Sequence, residues 1–446
     1  MSSATRRDEF VDLPLCMPDR THKTAAILSI GDELTLGQKL DTNSKWLSEQ
    51  LVMRGVTPLV HVTVADGLEV LINRISALAV EHDLVVMTGG LGPTADDLTR
   101  QALADAMGDT LIEDEDALRE LHQWFEGRGI AMPDTNRVQA MRPTRARCLK
   151  NERGTAPGLQ GVVGETDVFC LPGPPSEMHP MFETDVVGSL RPEIKILTRV
   201  MPTVGMGESA IAQKLGDLMD RQRNPLIGTT ASSGVVFIRM RYEGSDEALG
   251  ATLLDEAKGQ VREELGEHVV SSEEESLPEI VLSLLTERRE MLATVESCTG
   301  GMIGQVLTSV PGSSSAYAGG FVAYSNEMKV GLAGVERSVL DSVGAVSQEC
   351  CRQMALGGRE GTGADYAVAV TGIAGPGGGS AEKPVGTVWI GVAGPDGYES
   401  IRQFRLGRDR EQIRRRTVTN ALAMVWMAMT GKGEMPLLWE VFNSES

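Results

Sequence analysis

The run Leu84-Val85-Val86-Met87 is apolar throughout and then breaks into Thr88-Gly89-Gly90-Leu91-Gly92-Pro93-Thr94. A strand with no polar alternation must be covered on both faces, which is the situation of a parallel sheet between helical layers. The same change from apolar run to small or polar loop recurs. Thr24 to Ser29 ends on Ile30-Gly31-Asp32-Glu33, and Leu292 to Val295 ends on Glu296-Ser297-Cys298-Thr299-Gly300-Gly301. Between such runs, residues 43–53 and the set Leu68, Leu71, Ile72, Ile75 and Leu78 have helical spacing. The pattern predicts α/β layer structure, and 446 residues exceed what one core fills, so two or three domains are expected.

Residues 1–23 form a polar leader, and 24–192 read as a doubly wound α/β domain. Over 193–270 the order becomes strand, helix, strand, strand, helix, with Val235 to Arg241 alternating most clearly, which predicts a small α+β module. The polar stretch 271–276 reads as a linker. A second α/β domain follows over 277–432, with strands at 292–295, 320–324, 367–370 and 387–392, and 433–446 is a tail.

Forty-two basic against 62 acidic side chains leave a net charge of −20, and aromatic residues are 4% of the chain. Such a surface repels polyanions and offers no stacking stripe, so direct nucleic-acid contact is not expected. The acidic runs at 113–116 and 273–275 read as solvated surface. Six cysteines without Cys-x-x-Cys spacing fit reduced thiols, and no apolar window suits a signal core or a membrane span. The expectation is a cytoplasmic protein with no membrane partner.

In the last domain Ser297 lies where a strand stops and a helix begins, the geometry that lifts a side chain above a sheet edge. Helix N-terminal N–H groups there suit a phosphate or a developing oxyanion, and Gly300 and Gly301 let a ligand approach. A helix N-cap accounts for such a serine equally well. No histidine in this domain sits in a comparable motif. Lys329, in Tyr324-Ser325-Asn326-Glu327-Met328-Lys329, is therefore the candidate base, because a buried lysine loses its proton readily; a solvated helix lysine is the alternative. Thr371-Gly372-Ile373-Ala374-Gly375-Pro376 forms a third loop after a buried strand, and Arg408, Arg410 and Arg414 open the final helix with charge that reaches a phosphate.

In the first domain Gly31-Asp32-Glu33-Leu34, Asp41-Thr42-Asn43-Ser44, Gly89 to Thr94, Asp96-Asp97-Leu98-Thr99, Gly154-Thr155-Ala156-Pro157-Gly158 and Leu171-Pro172-Gly173 fall at strand ends, which share one crevice in a doubly wound sheet. The glycine loops suit phosphates, and Asp32, Glu33, Asp96 and Asp97 suit a hard divalent cation. No Gly-Lys-Ser/Thr follows, which excludes a P-loop. Turn glycines with an N-cap aspartate pair are the structural alternative.

The five last-domain motifs, Glu296 to Gly301, Tyr324 to Lys329, Gly344-Ala345-Val346-Ser347, Gly372 to Pro376 and Lys383-Pro384-Val385-Gly386-Thr387, resemble nicotinamide mononucleotide deamidase. The first-domain motifs resemble a molybdopterin-binding domain, and the layout from about Thr24 to Gly431 is similar to the CinA family of competence/damage-inducible proteins. The resemblance implies hydrolysis of the nicotinamide carboxamide to nicotinate mononucleotide and ammonia, a pyridine-nucleotide recycling step that needs no cofactor. Ser297 would be the nucleophile, Lys329 its base and Tyr324 an orienting or relaying group. The Thr299 and Gly300 backbone, beside Gly301, would hold the oxyanion. Thr371 and the Gly372 to Gly375 loop would line the pocket, and Arg410, with Arg414 a weaker candidate, would hold the phosphate or ribose. Cys298 is a rival nucleophile on chemical grounds.

For some members the resemblance also implies a metal-dependent ADP-ribose pyrophosphatase in the first domain. Asp96 and Asp97 would hold the metal, and Asn43, Thr94 and the Gly89 to Gly92 loop the diphosphate, with Asp32, Glu33, Gly154 and Thr155 completing the crevice. It further implies a KH-like middle module and a homodimer. Thr35 and Pro174 depart from the family pattern without disturbing its polar positions. Two other readings stand beside this one: a non-catalytic nucleotide-binding accessory factor in competence or DNA damage, and pterin handling by the first domain.

Overall fold

A computed structural model describes residues 20–441; most of the leader and the last five residues lie outside them. The chain divides into two compact units, one running to Leu197 and including Glu243–Glu247, the other formed by Thr198–Tyr242 and the residues from Ala248 onward.

The first unit is built on strands β1 (Thr24–Ile30), β2 (Thr57–Val64), β3 (Leu84–Thr88), a small pair β4 (Leu111–Glu113) and β5 (Met141–Pro143), then β6 (Arg147–Leu149), β7 (Gly158–Val163) and β8 (Thr166–Leu171). The main sheet has the order β2-β1-β3-β8-β7-β6. Its first four strands are parallel, while β7 and β6 each run antiparallel to the preceding neighbour. Period-two alternation along β1 sends Ala26, Leu28 and Ile30 to one face and Ala25 and Ile27 to the other, each into its own apolar cluster. Helices α1 (Asp32–Thr35), α2 (Thr42–Met53), α3 (Leu68–Glu81), α4 (Thr99–Ala106), α5 (Glu115–Glu126) and α6 (Pro175–Met181) supply the rest. Leu71, Ile75 and Leu103 of α3 and α4 cover one face, and Leu47, Leu51, Met178 and Met181 of α2 and α6 cover the other.

The second unit takes up most of β9 (Lys195–Val204), then α7 (Glu208–Leu215), β10 (Leu226–Ser232), most of β11 (Val235–Gly244) and of α8 (Glu247–Leu265), with sheet order β10-β11-β9. It continues through α9 (Leu277–Arg288), β12 (Leu292–Glu296), α10 (Met302–Thr308), β13 (Tyr317–Val322), α11 (Asn326–Ala333), α12 (Arg337–Ser342), α13 (Gln348–Thr362), β14 (Tyr366–Gly372), β15 (Thr387–Ala393), β16 (Glu399–Arg405) and α14 (Arg410–Thr430). The order is β13-β12-β14-β15-β16, with β12 next to the β13 edge and parallel to both neighbours. Val204 and Val235 of the α+β module share an apolar cluster with Leu277, Val368 and Trp426, so module and last domain are built on one continuous core. Among the described residues no helix is long and apolar enough to cross a membrane.

Candidate active site

Strand β12, flanked by a strand on each side, ends at Glu296, and the chain must turn into α10 within five residues. Ser297 opens that turn with its N–H on the Val370 carbonyl at 3.0 Å, and the Gly300 N–H closes it on the Ser297 carbonyl at 3.1 Å. Gly301 sits at φ +93°, where a side chain would be strained. Glu296 is only 1% exposed and its carboxylate reaches under the turn. One oxygen accepts from the Gly301 and Ile303 N–H groups at 3.0 Å each, the other from Gly304 at 2.8 Å. Donors that a helix start leaves orphaned are thereby met by a charge held in the strand. Of the expected oxyanion donors, Gly300 and Gly301 are spent on these bonds. The Thr299 N–H meets no acceptor among the described residues, and the buried Thr299 Oγ1 has no partner either.

Lys329 comes from α11, whose N-cap Ser325 accepts from the Met328 N–H at 3.2 Å. Its side chain is 2% exposed, so the solvated-lysine alternative does not hold. Nζ lies 3.0 Å from Ser297 Oγ, 2.9 Å from the Ala323 carbonyl and 3.3 Å from the Tyr324 carbonyl. Burial pushes the lysine below its ordinary value, and among the described residues no carboxylate pairs with it. A neutral amine has two hydrogens and one lone pair. Nζ donates to Ser297 Oγ as it stands; once deprotonated it would keep its two hydrogens for the carbonyls and turn its lone pair to the Ser297 hydroxyl. The rival Cys298 is buried in the apolar core, and burial pushes its thiol up to about 12.

Tyr324 occupies a different place from the one expected. Its phenol is 60% exposed and accepts from Arg410 at 3.4 Å, while only its carbonyl touches Lys329. Arg410 also donates to the Gly375 carbonyl at 2.7 Å, which brings the third glycine loop to the mouth of the site. Arg414, one helical turn on, donates to the Thr299 carbonyl at 2.6 Å and so clamps the serine turn. Thr371 is buried, and its hydroxyl supports the neighbouring loop by donating to the Ala345 carbonyl at 2.8 Å. Gly372 lies against β15, where a Cβ would come within 2.7 Å of Val388, so strand packing demands it. Glu296 stood inside a recognised motif without a role; an acidic residue ending an apolar strand just before a glycine pair and a helix was the available signal.

In the first unit the strand-end motifs gather around a crevice of about 350 Å³ lined by Gly31, Glu33, Asp66, Gly89 to Pro93, Asp96, Asp97 and Thr155. Gly90, at φ +66°, has no room for a Cβ beside Thr99 Oγ1. Asn43 is a brace, its amide donating to Thr88 Oγ1 at 3.0 Å and the Gly173 carbonyl at 2.8 Å. Asn151 Oδ1 accepts from the Gly154 N–H at 2.9 Å and shapes the loop before Thr155. Asp97 accepts from the Gly92 and Thr94 N–H groups at 2.8 Å each and from Thr94 Oγ1 at 2.5 Å, so both its oxygens are committed inside the loop. Among the described residues no three His, Cys, Asp or Glu groups converge on a point that could hold a metal ion. Asp96 and Asp97, expected to hold a metal, both line this crevice, and the Asp97 oxygens are engaged within the loop. Asp66, unnoticed in the sequence, exchanges backbone N–H bonds with Asp32 at 2.9 and 3.2 Å. Burial, then the like charges of Asp32, Asp96 and Glu33, push its carboxyl up. Arg100, 2% exposed, donates to the Leu91 and Gly92 carbonyls behind the glycine loop, and burial lowers it to about 10.

Three family models match the chain: a probable molybdopterin binding domain over residues 26–192, the damage-inducible protein CinA KH domain over 198–271, and the CinA C-terminal domain over 274–429. A relative from Caldicellulosiruptor bescii, provisionally named a competence-damage inducible protein, is 43% identical over 400 residues, covering 89% of this chain and 97% of its own. A CinA-like protein of Dictyoglomus thermophilum is 39% identical over 398 residues, 89% of this chain and 97% of its own. Among solved structures, the competence/damage inducible protein CihA from Agrobacterium tumefaciens is 43% identical and covers 34% of this chain and 93% of its own, with a TM-score of 0.34. With three domain models in order and end-to-end relatives at this identity, the chain belongs to the CinA family.

Proposed function

We propose that the last domain is an amidohydrolase that converts nicotinamide mononucleotide to nicotinate mononucleotide and ammonia. The observation that carries this reading is the 3.0 Å contact between Ser297 Oγ and a buried lysine amine with no carboxylate partner. A serine hydroxyl is a weak nucleophile until a base takes its proton, and a desolvated amine is such a base. Lys329 removes the Ser297 proton as Oγ bonds to the carboxamide carbon, and the carbonyl electrons move onto oxygen, where the Thr299 N–H receives them. Collapse breaks the C–N bond, and Lys329 passes its proton to the departing nitrogen, which leaves as ammonia. Water then gives a proton to Lys329 and attacks the ester, and that proton returns to Ser297 Oγ as the carboxylate leaves. Arg410, exposed at the mouth beside the Tyr324 phenol, meets the phosphate, and Arg414 holds the turn that carries Ser297.

The test is ammonia release by the full chain supplied with nicotinamide mononucleotide. Wild type releases one ammonia per nicotinate mononucleotide formed, and Ser297→Ala abolishes release while unfolding at the same temperature. Undiminished release by Ser297→Ala would sink the reading.

For the crevice of the first unit the proposal is a second activity, nucleotide binding with ADP-ribose as the ligand class, because glycines of three strand-end loops, Gly31, Gly89 to Gly92 and Gly173, line one cavity that a diphosphate could enter. Phosphate release from the ligand after phosphatase treatment, in a chain carrying Ser297→Ala, separates diphosphate cleavage from binding alone. A chain that bound nucleotides tightly at both sites and turned over neither would instead be the accessory factor in competence or DNA damage.

A further inference from the structure

On the flank of α14 away from Ser297 lies a crevice of about 410 Å³ between the KH-like module and the last domain, lined by Arg408, Gln412, Arg416, Trp439, Glu208 and Ser233 among others. Gln412 and Arg416 are one turn apart on this flank, while Arg410 and Arg414, offset by two residues or about 200° around the helix, serve the Ser297 side. The crevice is electrostatically incomplete. Arg416 donates one bond, to the Gly407 carbonyl at 2.9 Å, and its Nε is buried without a partner. Among the described residues neither Arg408 nor Arg416 forms an ion pair; burial, then the like charge of Arg408, lowers Arg416, against a smaller opposing pull from Asp409.

The remaining walls are consistent with an anion. Helix α7 begins at the crevice with Gly207 as N-cap, so no side chain caps its first N–H groups. The Glu208 carboxylate accepts from Thr229 Oγ1 at 2.7 Å, and the Asp409 carboxylate accepts from the Gln412 N–H at 2.9 Å; each acid is engaged by its own neighbour. Trp439 is closed to a stacked base, because Arg416 covers its ring at 4.3 Å and Gly234 packs so tightly on it that a Cβ would come within 3.0 Å. What the crevice offers is charge and donors without a free aromatic face.

We propose that this crevice is a phosphate-binding site, distinct from the Ser297 site, in which Arg408 and Arg416 hold a phosphate group. The ligand class is inorganic phosphate or the terminal phosphate of a larger molecule, recognised by its oxygens and not by a base. Two planar guanidinium groups are suited to paired contacts with such oxygens.

The experiment is thermal unfolding of the full chain in inorganic phosphate against chloride at matched ionic strength, with adenosine monophosphate as a second arm. Phosphate at tenfold over its Kd raises the Tm by about 3 °C. The rise is lost in Arg408→Gln and Arg416→Gln and kept in Arg410→Gln, which alters the Ser297 side. Equal effects of the inorganic ion and the monophosphate mean that the phosphate alone is read; an effect of the monophosphate alone means that it arrives on a larger ligand. No rise with either, or a rise lost in Arg410→Gln and kept in both crevice variants, overturns the proposal. Because the readout is binding, the outcome is independent of whether the Ser297 site releases ammonia.

Discussion

Lys329 bears the cost of desolvation with two carbonyls and a hydroxyl as its only polar company. Replacing it with an apolar side chain of similar length should remove that cost together with the base. Lys329→Met is expected to lower kcat/KM about 10²–10⁴-fold and to unfold at the same or a higher temperature than wild type. A fall in Tm that accounts for the activity loss would show that the lysine is a structural pin. The pH dependence has a definite sign. Since the folded pKa lies below 10.5, activity rises with pH along a limb whose midpoint is under that value. Between the folded pKa and 10.5 the unfolded chain binds more protons, so this lysine makes stability rise with pH there, and comparison of pH–Tm curves for wild type and Lys329→Met isolates the effect.

At the level of elements, the join between β12 and α10 depends on Glu296. Glu296→Ala leaves three backbone donors at the helix start without their acceptor, and the expected loss is about 1–3 kcal/mol in denaturant unfolding. Glu296→Gln keeps the shape and loses the charge, and should fall between the two. An unchanged midpoint in Glu296→Ala would mean that water replaces the carboxylate. This join was legible in the sequence because all its parts are local: an apolar run, a serine, a glycine pair and a helical stretch lie within a dozen residues. Strand β16 was missed because Glu399–Arg405 is an edge strand that mixes charged and apolar residues and reads as solvated surface. The place of the Tyr324 phenol depends on Arg410, 86 residues away, and no spacing rule announces such a partner. Asp97 was legible as an acid beside a glycine loop, but its bonds to Gly92 and Thr94 within that loop compete with any cation, and only the folded loop reveals the competition.

For the whole molecule, the shared core of the KH-like module and the last domain makes a truncation test. A chain beginning at Thr198 retains Val204 and Val235 against Leu277 and Trp426, whereas one beginning at Leu277 exposes that apolar surface. The longer fragment is expected to fold with full ammonia release, and the shorter to unfold at lower temperature or aggregate. Equal Tm values for the two fragments would show that the module contributes nothing to the domain's stability.

The same unit is traversed by α14. Twenty-one residues make a rod about 30 Å long, with Arg410 and Arg414 near one end and Lys432, just past the other, donating to the Glu267 carbonyl after α8. Pivoting such a rod by about 3° about its far end would swing its tip by about 1.6 Å, and a misplacement of about 1 Å can cost a reaction 10²-fold. If the last domain turns over as proposed, substitutions in the KH-like module that tilt this helix should lower turnover without touching the Ser297 turn.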